Sequence, residues 1–168
     1  MTTARIRDGT LVQIRPVVPE DLDAIEEFLV NLSLESRIFR FFSGGASTHV
    51  AARMAVDVDR HRTYGIVALV DGEIVGHAMY GLRRPDSVEV GLEVADEWQG
   101  HGVGTAMLAA LASAALENGF EHVEAVVMPE NRRMLGVFED SGIPVEITTE
   151  PGVVHLSTRA AEWASAFH

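Results

Sequence analysis

The chain has 168 residues, 25 acidic against 13 basic side chains, a formal net charge of -12 and no cysteine. That length suits one domain over residues 1–168 with a self-sufficient core, and the missing thiols exclude a disulfide framework. The acidic balance argues against a nucleic-acid backbone or an anionic membrane as partner.

No apolar run approaches the roughly 18 residues of a membrane helix, and the polar opening MTTARIRDGT lacks a signal peptide's apolar centre, so a cytoplasmic location is expected. Every basic residue is arginine. A phosphate loop of the kind that needs a lysine is therefore excluded.

Residues 10–16 (TLVQIRP) alternate and halt at proline, as an opening strand does. Over residues 18–32, Leu22, Ile25, Phe28, Leu29 and Leu32 recur at helical spacing, and Glu20, Asp21 and Asp23 put negative charge on the positive helix end. A second helix is expected over residues 33–42, capped by Ser33 and stopped by Ser43, Gly44 and Gly45, and a third over residues 46–58. Phe39, Arg40, Phe41 and Phe42 are expected first in the core and second as a homodimer contact. Residues 64–70 and 73–80 read as strands flanking Asp71-Gly72, the pair favoured in tight hairpins.

Residues 87–95 (SVEVGLEVA) set Val88, Val90, Leu92 and Val94 on one face and Glu89, Gly91 and Glu93 on the other, and Gly91 predicts a bulge or a close backbone approach. An alanine- and leucine-rich helix over residues 103–116 ends near Gly119, which can take a left-handed cap. Then come a strand over 122–128, a helix over 131–140 and a closing hairpin, 145–149 with 153–158, around Pro151-Gly152. Helices early, then a mostly antiparallel sheet with two inserted helices, define a mixed α/β or α+β domain.

Between the strand at 87–95 and the next helix lies QGHGVG, with Gly100, Gly102 and Gly104 at alternate positions. These glycines free the backbone and leave amide N–H groups bare at a helix start, where amides and dipole together favour an anion such as a diphosphate. Thr105 stands where a dinucleotide fingerprint needs its third glycine. The seven histidines, His49, His61, His77, His101, His122, His155 and His168, form no pair at ligand spacing, and no metal is expected.

QGHGVG matches the Q/R-x-x-G-x-G/A diphosphate loop of the GNAT superfamily of N-acetyltransferases, and NRRMLGVFEDSGI, residues 131–143, resembles that superfamily's asparagine helix. The similarity spans residues 11–158. LVQIRP with Pro19-Glu20-Asp21, SRIFRFF and EVGLEVADEWQG further resemble the catalytic domain of bacterial Pat-type protein lysine acetyltransferases. The resemblance implies a mostly antiparallel sheet flanked by helices, with two splayed strands forming a cleft for acetyl-CoA.

In that cleft the pantetheine arm pairs with the backbone of Leu92, Glu93 and Val94. The diphosphate sits on the loop of Gln99, Gly100, His101, Gly102, Val103, Gly104 and Thr105, and Asn131 contacts the pantetheine or the sulfur end. An amine attacks a thioester only when uncharged, so a general base is required. The resemblance points first to Glu89 and second to Glu93, on the same strand face. Many members carry a tyrosine seven residues after the asparagine as acid for the departing thiolate; here the position is Phe138.

The implied activity is acetyl transfer to a primary amine, with a protein lysine as first acceptor and a small-molecule amine as alternative. A noncatalytic acyl-CoA sensor, kept open by Phe138, is the reading from another class. Acceptor choice is expected in the loops at residues 33–62 and 144–155.

Overall fold

A computed structural model describes residues 1–166, so His168 lies outside the described residues. Eight strands, β1 (Thr2–Arg5), β2 (Leu11–Pro16), β3 (Thr63–Val70), β4 (Glu73–Arg84), β5 (Ser87–Val94), β6 (His122–Val127), β7 (Glu146–Glu150) and β8 (Val153–Arg159), make one sheet. Their spatial order is β1-β2-β3-β4-β5-β6-β8-β7. Six helices flank it: α1 (Leu22–Val30), α2 (Leu34–Phe41), α3 (Thr48–Val56), α4 (Val103–Glu117), α5 (Arg132–Glu139) and α6 (Ala160–Ala166). Among the described residues no helix is long and apolar enough to cross a membrane.

Neighbouring strands run antiparallel except β5 and β6. These two pair in parallel through only three positions, Ser87 with His122, Val88 with Val123 and Glu89 with Glu124, and then part company. A parallel pair needs a crossover, and α4 supplies it. The β3–β4 hairpin turns where expected, with φ of 50° at Asp71 and 82° at Gly72, because a two-residue turn that matches strand twist takes both residues left-handed.

The sheet buries two apolar layers. On one face α4 and α6 pack against Val12, Ile14, Tyr80, Val88 and Leu156, with Trp163 and Met107 fully enclosed. On the other, α1 and α3 close over Val67 and Leu69 through Ile25, Phe28, Leu29 and Ala52. The periodic apolar positions of α1 are thus the ones that bury.

Several expectations are corrected. An edge strand, β1, precedes the expected opening strand, and α6 follows the closing hairpin. The short α6 is held by packing of Ala160, Trp163 and Ala164, with Trp163 Nε1 donating to Thr158 Oγ1 at 3.1 Å. The ladder irregularity falls at Leu82/Arg84, and Gly91 stays in register with Met79. Gly91 instead makes room for a side chain: a Cβ there would lie 2.6 Å from Arg40 Cζ. Helix α2 has no fully buried residue, and Phe42 ends it left-handed and exposed. Its amphipathic face is shared: Phe41 packs, half-buried, against the cluster under α1 and α3, while Phe39 and Arg40 line the edge of a cleft.

Candidate functional site

Beyond Glu89, the unpaired flank of β5 faces a cleft of about 1790 Å³ whose lining includes Leu92, Val94, Gly104, Val126 and Asn131. The strand therefore offers main-chain groups to an extended ligand arm, as a sheet edge does to an added strand.

The glycine loop closes one end. Gly100 and Gly102 adopt φ of 78° and 98°, values that other residues reach only at a cost, and Gly102 becomes the N-cap of α4. The amides of Gly100, His101, Gly102, Val103, Gly104 and Thr105 donate no hydrogen bond among the described residues. A Cβ at Gly104 would meet Leu92 Cδ1 and Val137 Cγ2 at an ordinary 3.6 Å, so protein packing tolerates a side chain there. What a side chain would occupy is the floor of the cleft. Six unpaired amides, a helix N-terminus and this bare floor fit a diphosphate.

The loop is braced from outside. Gln99 Nε2 donates to Val94 O at 3.0 Å and Ser36 Oγ at 3.1 Å, while Ser33 N and Ser36 Oγ donate to Asp96 Oδ1 at 3.2 and 3.3 Å. The Gln99 side chain thereby ties α2 to the end of β5. His101 stacks edge-on against Trp98, and its carbonyl accepts from Arg7 N at 3.2 Å. Arg7 Nη1 also donates to Gly100 O at 3.3 Å, which places a cation beside the loop. Sequence reasoning missed Arg7; it lies 93 residues from Gly100 and only the β1–β2 hairpin brings it there.

Glu89 and Glu93 meet opposite surroundings. Glu89, at the last paired position before the split, keeps 45% of its side chain exposed and forms an ion pair with Arg83 Nη1 at 3.1 Å. Glu93 is 3% exposed, with Oε2 3.1 Å from His77 Nδ1 and Oε1 3.4 Å from Arg40 Nε. Burial alone would push the Glu93 carboxyl up, but Arg40 and then His77 more than reverse this and hold it below the ordinary carboxylate range. Arg40 reaches Glu93 by lying across Gly91. It sits inside the SRIFRFF run, yet helical periodicity alone gives no sign of its partner.

Asn131 caps α5, its Oδ1 accepting from Met134 N at 3.2 Å, on the cleft wall beside Arg132 and Arg133. Phe138 is buried and packs edge-on against Trp163 at 5.7 Å, turned into the core. Ligand atoms of Asp86, Glu121 and His122 lie within 4.8 Å of one another at the start of the β5–β6 pair, a surface grouping that spacing in the sequence concealed.

A sheet split between two parallel strands, with a bare amide loop at one end of the cleft, is the arrangement of the N-acetyltransferase class. The chain belongs to the acetyltransferase (GNAT) family, whose sequence profile matches residues 29–143. It is 32% identical over 133 residues to acetyltransferase PA5475 of Pseudomonas aeruginosa, covering 76% of this chain and 72% of the relative. It is 26% identical over 154 residues to acetyltransferase Pat of Mycolicibacterium smegmatis, covering 89% of this chain but only 46% of Pat's length. Among solved structures, the GNAT domain of S. lividans PAT superposes with a TM-score of 0.85 at 30% identity, over 94% of this chain and 96% of that one.

Proposed function

We propose that this chain is an acetyl-CoA-dependent N-acetyltransferase acting on protein lysine amines, with Glu89 as general base. The observation that carries the reading is Glu89 itself, the solvent-reaching carboxylate at the point where β5 and β6 diverge.

In this reading the amides of residues 100–105 hold the coenzyme's diphosphate, Leu92 to Val94 pair with its pantetheine arm, and a strand amide near Leu92 donates to the acyl oxygen as negative charge develops there. Bound acetyl-CoA supplies an activated thioester. Glu89 takes the proton that the attacking amine must lose, and Arg83 fixes the carboxylate's position. Much of the rate comes from holding amine and thioester in line. No hydroxyl at position 138 is required, because a thiol near the free-cysteine value of about 8.5 leaves readily as thiolate.

The likeness to the Pat domains supports a lysine acceptor. So does the net charge of -12, which attracts a cationic segment. The same charge and the absence of cysteine fit a cytoplasmic setting. Thiol release with acetyl-CoA over a panel of lysine peptides and small amines tests the assignment. Turnover on peptides, lost in Glu89→Gln, supports it. Turnover on small amines alone redirects the acceptor, and coenzyme binding without release on any amine favours the sensor.

A further inference from the structure

Beside the main cleft lies a second pocket of about 300 Å³ over the β4–β5 face, flanked by α2 and α3 and open to solvent past Val50 and Met54. Its walls are largely apolar, from Leu29, Phe41, Val50, Ala51, Met54 and Met79, and its polar part is the His77–Glu93 pair with Arg40 beside it. Arg40, Met54, Met79 and Glu93 line both spaces, so the pocket opens off the cleft. Met79 is paired with Gly91 across the ladder, one residue from Leu92, whose neighbourhood holds the acyl oxygen in the reading above.

Two buried nitrogens here make no hydrogen bond among the described residues: Arg40 Nε, which is ion-paired with Glu93 Oε1 at 3.4 Å, and His77 Nε2. His77 is 2% exposed, its Nδ1 is engaged by Glu93, and its Nε2 has no hydrogen bond among the described residues. Whichever role the ring gives Nε2, donor or acceptor, a hydroxyl can meet it, because a hydroxyl both donates and accepts. A buried, unpaired polar atom is destabilising, and a ligand that brings a hydroxyl group removes that cost. An acetyl methyl does not fill this space, which equals roughly ten waters at ~30 Å³ each.

We propose that this pocket receives the acyl chain of donors longer than acetyl, with a hydroxyl on that chain hydrogen-bonding to His77 Nε2. The proposal rests on the acyltransferase reading for the thioester's position and deepens it by naming a donor class. The chemistry balances as before: the acceptor nitrogen bonds to the acyl carbon, the carbon–sulfur bond breaks, and the nitrogen's proton passes to Glu89 and on to solvent. The departing thiolate takes up a proton from solvent.

The test is calorimetric titration of the intact chain with acetyl-CoA, butanoyl-CoA and hydroxybutanoyl-CoA, followed by thiol release from each donor with one lysine peptide. Two more buried methylenes predict butanoyl-CoA binding about tenfold tighter than acetyl-CoA. The hydroxyl adds a further factor of about three to ten. Ala51→Leu, which fills the pocket from α3, should erase the butanoyl advantage in both Kd and kcat/KM, read as ratios to acetyl-CoA. Butanoyl-CoA binding no better than acetyl-CoA to the unaltered chain overturns the proposal, and this arm decides the matter even if the variant does not fold. An advantage unchanged in folded Ala51→Leu overturns it too, and equal binding of the butanoyl and hydroxybutanoyl esters contradicts the role of His77. Failure of all three donors to bind removes the acyltransferase reading as well, whereas preference for acetyl-CoA removes this proposal alone.

Discussion

Glu89 and Glu93 leave the same face of β5 four residues apart, yet one side chain is 45% exposed and the other 3%. The difference separates a solvent-reaching carboxylate, the base of the proposed mechanism, from one buried against two partners. Glu89→Gln should therefore lower kcat by about a hundredfold or more while leaving coenzyme A affinity within about twofold. Stopped-flow thiol release and calorimetry on the same preparation check both halves.

Glu93→Ala should instead act on the fold. It strands Arg40 over Gly91 and removes the partner of His77 Nδ1, whose side chain is itself 2% exposed. Breaking a buried pair of this kind typically costs about 3–5 kcal/mol. Urea unfolding followed by circular dichroism should show that loss, with a lowered midpoint at unchanged slope.

The same carboxylate predicts an acid-sensitive fold. Burial pushes the Glu93 carboxyl up, but Arg40 and His77 outweigh it, so the folded value lies below the ordinary 4.5. The native chain then binds fewer protons at this site than the unfolded chain does. Its contribution is complete above pH 4.5 and is lost as pH falls through the folded value. The unfolding free energy should decline as pH drops below 4.5, and Glu93→Gln should flatten that decline.

Asp21 anchors the entry to α1. It receives both Arg15 guanidinium nitrogens at 2.8 Å and Val18 N at 2.8 Å, and the Arg15 hydrogen bond foremost holds its carboxyl below the usual range. Asp21→Asn keeps the shape but halves the charge-assisted pairing, for an expected loss of about 2 kcal/mol by urea titration.

Much of this architecture was legible in advance. Ser33 and Asp71-Gly72 act as local rules say, since a cap and a two-residue turn depend on neighbours within a few residues. The glycine loop was readable for the same reason: Gly100 and Gly102 are required by backbone angles, whatever surrounds them. What stayed hidden is long-range. Arg7 against Gly100, Arg40 over Gly91 and His77 beside Glu93 join segments 93, 51 and 16 residues apart, and no periodicity encodes such meetings. Gly91 illustrates the limit. The sequence marks it as a place of close approach, but only the packing of α2 shows that the visitor is a guanidinium.

Gly104→Val should separate binding from stability. Its Cβ fits at 3.6 Å from Leu92 and Val137, but the branched side chain fills the floor that the diphosphate needs. Coenzyme A affinity should fall by more than about tenfold, ~1.4 kcal/mol, with little change in Tm.

In the proposed function, the bare amides of residues 100–105 grip coenzyme A. Calorimetric titration of the unaltered chain with coenzyme A tests it most directly. One site per chain is expected, with Kd in the micromolar range, about -8 kcal/mol, and a rise in Tm that Gly104→Val suppresses. No heat and no thermal shift at millimolar coenzyme A contradict it.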